Sequence, residues 1–420
     1  MRCDRRLALA VLALLVSCSD ASGVEDASES TPARDAAAVR DAAPAPGRSV
    51  SDASSAAEAR DMDGGERDAG ALARDASSLD GASSAPDAAA DAQAASALDA
   101  ARDAAATSEA GQPAPSVDAD GCPTDLVGFA TVEGGTRGGA AAKPTRVTTQ
   151  AELRACAGAK DARVCVVEGT LTFSPFEEIE VQSEKTIVGA GANATIVMGG
   201  FRLNAGIHDV IIRNLTIRDS YIEGQYDEGG DEGGDRDGVQ MDGAHHVWID
   251  HVHFRHLGDG MIDSRKDTTF LTVSWNILEQ HNKAFGIGWT ENVTSQITIH
   301  HNWIHDTVQR NPSTDNVLRA HLFNNLLEHV DSYGNYARGG TNMVLQNSVF
   351  VDVNDPHYFD TGTLVATGNL YRSSTGKRTS TGTAFSFFDP SKFYAYTLDA
   401  AEEVEARLRR CAGPRAALGM

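Results

Sequence analysis

The stretches TVSWNIL at 272–278, TIHHNWI at 298–304 and LFNNLL at 322–327 decide the architecture of this chain. Each is an apolar run broken by an asparagine: Asn276, Asn302 and Asn325. The same feature returns as Asn214 in IIRNLTI, Asn347 in VLQNSVF and Asn369 in VATGNLY, with His251 of VWIDHVHF in the remaining place. Successive gaps are 37, 25, 26, 23, 22 and 22 residues. A strand-rich period of this length, with turn chemistry at a fixed phase, is the pattern of a solenoid whose coils stack on one another. Strands of neighbouring coils lie about 4.8 Å apart, so residues one period apart sit above each other. Asparagine suits such a rung because its amide donates and accepts at once, serving the bend and the next coil. The expected fold is all-β: a single-stranded parallel β-helix with short capping helices.

Charged residues keep step with these coils. From Asp237 to Asp259 is 22 residues, to Lys283 another 24 and to Arg310 another 27. Asp235 and Asp237 on one coil, with Asp259 and Asp263 on the next, are expected to bring four carboxylates together. Like charges at that range repel and favour protonation. A calcium ion, which takes roughly 6 to 8 oxygen ligands, turns such a cluster into a site. The plain alternative is a solvated acidic rim, and the in-register stacking argues against it.

These segments resemble the polysaccharide lyases of the pectate and pectin lyase type. The matches are VWIDH at 247–251, DGMID at 259–263, LTVSWN at 271–276, HNKAFGIG at 281–288, ITIHHNWIHDTVQRNP at 297–312 and HLFNN at 321–325, spanning about 125 residues. Weaker ones extend upstream through VEGTL, TIVGAG and VIIRNLTI. The resemblance implies a right-handed parallel β-helix and calcium-dependent cleavage of polygalacturonate by β-elimination. It makes Asp235, Asp237, Asp259 and Asp263 the expected calcium ligands, Lys283 the grip on the substrate carboxylate and Arg310 the general base. Arg265 falls where the family often has a substrate-binding lysine.

The chemistry is reasonable on its own terms. The C5 proton of a galacturonate lies beside an ionised carboxylate, so neutralising that carboxylate is the first task, suited to a cation and Lys283. Accepting the proton is an unusual duty for a guanidinium, which ordinarily stays charged. Arg310 as a fixed cation clamping a carboxylate is the competing role.

One departure stands out in RNPSTDNVLRAH at 310–321. Asp315 occupies the place of the family's second arginine, and one residue is added before His321. That longer spacing is similar to pectin lyases, which cut methyl-esterified chains without calcium, whereas retention of Asp259 and Asp263 points to the calcium-using branch. Arg319 is a candidate replacement for the lost arginine. A non-catalytic galacturonan-binding β-helix and a hydrolase using Asp259 and Asp263 are the other classes to separate.

Several conspicuous residues have structural explanations. Histidines such as His245, His251, His300 and His301 lie in strand motifs that alternate faces, and no HExxH spacing occurs. Trp248, Trp275 and Trp303 recur at the coil's pace and are expected as stacked core or groove wall. The segment YDEGGDEGGDRDG at 226–238 reads as a rim loop or a further calcium cradle.

The amino-terminal part concerns address. Residues 1–18, MRCDRRLALAVLALLVSC, resemble a bacterial lipoprotein signal peptide with Cys18 as the acylated residue. Ser19 after it favours the outer membrane or cell surface, with ordinary secretion as the alternative. Residues 19–120 contain no aromatic and carry 21 acidic residues against 7 arginines, a net of −14 within the chain's −23. This segment is expected to be a disordered tether, and the acidity makes nucleic acid a poor partner. Residues 121–420 suffice for one large domain, expected as a monomer whose ligand is an anionic polysaccharide. Helices are expected within 148–159 and 398–413, shielding the open ends of the coil. Of three possible pairings among Cys122, Cys156, Cys165 and Cys411, the expected one is Cys156 with Cys165 and Cys122 with Cys411.

Overall fold

The computed structural model describes residues 116–222, 236–382 and 385–419. The expected signal peptide with Cys18, nearly all of the tether and Asp235 lie outside the described residues. The stretch from Ser116 to Asp120, assigned to the tether by composition, packs on the domain. Asp118 pairs with Arg415 at 2.7 Å, and Val117 bridges Pro123.

The chain winds into a parallel β-solenoid of about 9 turns. Ten strands from Pro144–Val147 to Thr363–Thr367 stack in chain order as one sheet. A second sheet of fifteen strands folds round a corner into two faces, because Thr195–Leu203 pairs at its start with Thr216–Arg218 and at its end with Val239–Asp242. The bend falls at Met198, whose φ is 52°, and Gly199. Three faces result. The first is the ten-stranded sheet; the second carries Ile277–Lys283 and Trp303–Gln309; the third carries Ile262–Arg265, Phe285–Gly288 and Ser313–Asp315.

Alternation along each strand sorts the residues. Ile262, Phe285 and Ile287 on the third face, and Val273, Ile299 and Leu322 on the first, turn inward to a continuous apolar core. The asparagine ladder is real but sits one residue off the expected column in places. Asn276 accepts from Val252 N at 2.8 Å, Asn302 from Asn276 N at 3.1 Å and Asn325 from Asn302 N at 3.0 Å. Ser348 then takes the rung, accepting from Asn325 N at 3.2 Å, and Asn369 closes the run. Asn214, His251 and Asn347 belong to the preceding column, where Trp275, His301 and Asn324 also adopt positive φ. Asparagine tolerates that left-handed conformation as readily as it builds ladders, so two adjacent columns share one residue type.

The helices fall within the expected segments and differ in role. Helix α1, Gln150–Ala157, begins with a capping box between Thr149 and Glu152 and buries Leu153, Cys156 and Ala157 over the first coils. Helix α2, Ala401–Cys411, lies on the solenoid's flank instead of its end. Its apolar stripe, Val404, Leu408 and Cys411, packs on Trp275, Leu326 and Val349. Of the tryptophans, Trp248 and Trp275 are buried, and Trp303 lies beneath Arg409. Both expected disulfides are present, Cys156–Cys165 and Cys122–Cys411.

Cys122–Cys411 fastens the amino-terminal arm to α2 across 289 residues, whereas Cys156–Cys165 closes only 9. Because the closed loop sets most of the entropy removed from the unfolded chain, Cys411→Ser should cost more than Cys156→Ser, within about 2 to 5 kcal/mol. Denaturant titrations of the two variants check the order.

Burial brings the His321 imidazole down to about 3 and that of His357 to about 4. Both stay neutral in the folded state while the unfolded chain takes up protons below about 6.5. Their contribution is therefore complete above that pH and lost as pH falls toward 4. The thermal midpoint should drop over this window, and a flat profile would contradict the assignment.

Candidate active site

The corner between the second and third faces gathers charges from four successive coils. Strands on the third face point alternate residues outward, so Asp263 and Arg265 leave the core while Ile262 stays in it. Gln240, Asp263, Gly286 and Ser313 form one outward column in strict register. Asp237 precedes the first of these strands and Asp259 the second. Lys283 ends Ile277–Lys283, and Arg310 follows Trp303–Gln309 by one residue.

Glycines make room for the acids. Asp263 Oδ1 accepts from Gly286 N at 2.9 Å, and Asp237 Oδ1 from Gly260 N at 2.6 Å. A Cβ on Gly286 would lie 2.6 Å from Asp263 Oδ2, and one on Gly260 would meet Asp263 and stand 3.1 Å from Asp237 Oδ1. The glycines of DGMID and AFGIG thus let two carboxylates lie against the backbone of the next coil. Asp237 is fully buried and Asp263 nearly so. Asp259 is half-buried; its carbonyl bonds His281 Nε2, and its carboxylate lies 3.5 Å from Lys283 Nζ.

Electrostatics follow from this crowding. Burial pushes the Asp263 carboxyl up to about 7; the charge of Asp259 adds to the rise, and Arg265 and Arg310 oppose it. Burial draws the Lys283 ammonium down to about 8, with the neighbouring Arg310 guanidinium acting the same way. Each group is moved toward its neutral form. Arg310 has left-handed backbone, φ 58°, and its carbonyl accepts from Phe285 N at 2.9 Å. Among the described residues it has no ion-pair partner, and its guanidinium lies 5.6 Å from the centre of the Trp289 ring.

The sequence-based set is therefore only partly assembled. Asp237, Asp259, Asp263, Lys283 and Arg310 share the corner, and Arg265 stands beside it, held by Asp242 through Nε at 2.8 Å and Nη2 at 3.2 Å. Arg319 does not join them. It opens a first-face strand, donates to Gln296 at 2.9 Å and lies over Phe393 at 4.6 Å. Nearness in sequence misled there, because the chain turns another corner after Asp315. Among the described residues no three acidic, histidine or cysteine side chains close on one point as a metal cluster would. The donor type nevertheless fits a hard cation: all three described candidates are carboxylates, and a carboxyl raised by burial and by its acidic neighbour is the conflict a divalent ion relieves.

Two residues near this corner were not recognised in the sequence. Trp289, exposed beside Arg310, stands in a loop and so belongs to no strand period. Arg338 pairs with Asp315 at 3.4 Å from the next coil, in register. Applying the coil's spacing once more beyond Asp315 would have found the second.

The pectate lyase family model matches residues 119–415. Similar proteins include a pectate trisaccharide-lyase from Thermotoga sp. (strain RQ2), 33% identical over 211 residues that make up 47% of this chain and 56% of that protein. The chain thus spans little more than half the length of the Thermotoga relative. A pectate trisaccharide-lyase from Bacillus licheniformis is 28% identical over 308 residues, 69% of this chain and 86% of the other. Among solved structures, a pectate lyase from Bacillus sp. N165 in complex with trigalacturonate superposes with a TM-score of 0.60 at 24% identity, covering 70% of this chain and 99% of that one, a likeness of fold. The family match takes in nearly every described residue, and the chain belongs to the pectate lyase family of polysaccharide lyases.

Proposed function

We propose that the protein is a calcium-dependent pectate lyase that cleaves polygalacturonate by β-elimination. The observation that carries this is the corner where Asp237, Asp259, Asp263, Lys283 and Arg310 converge from successive coils. Asp237, Asp259 and Asp263, with Asp235 from the adjoining segment, are the residues to hold calcium. The bound ion would supply neutralisation of the substrate carboxylate. Lys283 engages the same carboxylate, which favours loss of the C5 proton. Arg310, which has no ion pair among the described residues, takes that proton as the neutral guanidine and becomes the guanidinium. The C5–H electrons form the C4=C5 double bond as the C4–O bond breaks, and the departing oxygen is protonated by solvent. Arg265 orients the substrate from its seat on Asp242. The similarity to pectate trisaccharide-lyases supports this substrate class.

A pectin lyase reading draws on Asp315 and the lengthened spacing after it. Keeping Asp259 and Asp263 favours the calcium-dependent branch. We place the enzyme outside the cytoplasm, as a monomer tethered by lipid at Cys18; two disulfides support export.

Purified protein incubated with polygalacturonate should give a rise in ultraviolet absorbance from the unsaturated uronate, abolished by chelator and restored by calcium. Reducing ends without that absorbance would indicate a hydrolase, and chelator-insensitive cleavage of methyl-esterified pectin a pectin lyase. Arg310→Lys should lower kcat by at least about a thousandfold while calcium binding measured by calorimetry is retained; near-normal turnover would remove Arg310 from the proton transfer.

Gly286→Ala tests the seat of Asp263. Because the added methyl would press on both carboxylate oxygens, calcium affinity should fall about tenfold or more with the fold intact. Unchanged affinity would show that Asp263 does not ligate.

A further inference from the structure

The loop after Phe285–Gly288 presents an aromatic ring that the fold does not use. Four large hydrophobic side chains are exposed among the described residues, and two of them, Trp289 and Val293, belong to this loop. Trp289 is 52% exposed, in contrast to the buried Trp248 and Trp275. Its backbone φ of 55° is a conformation a bulky residue seldom adopts.

The loop is pinned. Thr290 Oγ1 and Asn292 Nδ2 each donate to the Asp267 carboxylate at 2.7 Å, and Asn316 Nδ2 donates to the Thr290 carbonyl at 2.7 Å. A strained residue on a fixed loop therefore holds a large apolar ring in water beside Arg310. The 5.6 Å separation from the guanidinium is close to the outer limit of about 6 Å for cation–π attraction, so that contact is a weak reason for the ring to be there.

We propose that Trp289 is a saccharide platform, stacking on the apolar C–H face of a galacturonate unit next to the one that loses its proton. The ligand class is an oligo- or polyuronate. The inference rests on the proposed lyase reading. It is chemically specific: a pyranose offers a flat patch of C–H bonds, which an indole covers. Stacking of this kind is made equally in ground and transition states, so it acts on KM and leaves the chemical step alone.

The test uses the full-length protein with hexagalacturonate, long enough to pass Arg310 in both directions. Trp289→Ala should raise KM about tenfold with kcat within about twofold, and Trp289→Phe should recover most of the loss. Because the side chain is exposed, the thermal midpoints should match, which separates binding from folding. A fall in kcat at constant KM would mean that Trp289 only positions Arg310, and unchanged kinetics that it does nothing; either overturns the platform. Calorimetry with hexagalacturonate in the Arg310→Lys background keeps the inference separate from the reaction. Loss of affinity on adding Trp289→Ala supports the platform even if the wild type shows no eliminase activity, which would sink the lyase reading alone. Equal affinity, or no binding at all, refutes it.

Discussion

Parallel backbone pairing between coils is the constraint on which everything else depends. It fixes neighbouring strands at about 4.8 Å and holds their residues in register, so a side chain's neighbours are those one coil before and after it. Inward columns become the apolar core and outward columns become the walls. Where the chain bends between faces, strands end and side chains splay. Charged groups contributed by four coils meet there without any of them entering the core.

That convergence is costly to the free protein. Burial moves Asp263 and Lys283 in opposite directions, both toward neutrality, with Asp259 and Arg310 adding like-charge repulsion. The rest of the fold opposes relaxation. Backbone N–H groups of Gly260 and Gly286 hold two carboxylates in place, and the left-handed backbone of Arg310 is tied by its carbonyl to Phe285. The proposed calcium ion and uronate substrate would each offset one half of this imbalance.

How far the sequence revealed this depended on periodicity. Asp237, Asp259, Lys283 and Arg310 were legible because their spacing matched the coil's, and Cys122 and Cys411 because four cysteines permit few pairings. The ladder was misplaced by one residue at Asn214, His251 and Asn347, since a left-handed corner and a ladder rung both suit asparagine. Arg319 was misassigned because it lies only nine residues after Arg310, yet a corner separates them. Helix α2 was visible as an amphipathic stripe, but what it covers depends on which outward apolar residues, here Leu326 and Val349, the coil leaves unpaired. Trp289 offered no signal: a single aromatic in a loop has neither period nor partner until the chain is folded.

The Asp315 substitution shows what kind of unit a solenoid conserves physically. By the family resemblance, an acid stands where many pectate lyases carry an arginine, which in a globular pocket would invert the local field. Here Asp315 aligns with Arg338 on the next coil and pairs with it, and Arg338 lies 6.0 Å over Tyr336, which itself stacks at 4.2 Å on Tyr358. The upstream rungs are built the same way: Asp242 receives Arg265 from the following coil and Arg202 from the preceding one. Each of these acids is therefore paired with a cation from an adjacent coil. The local charge at 315 is thus set by the pair and not by the single position, since Arg338 on the next coil offsets Asp315.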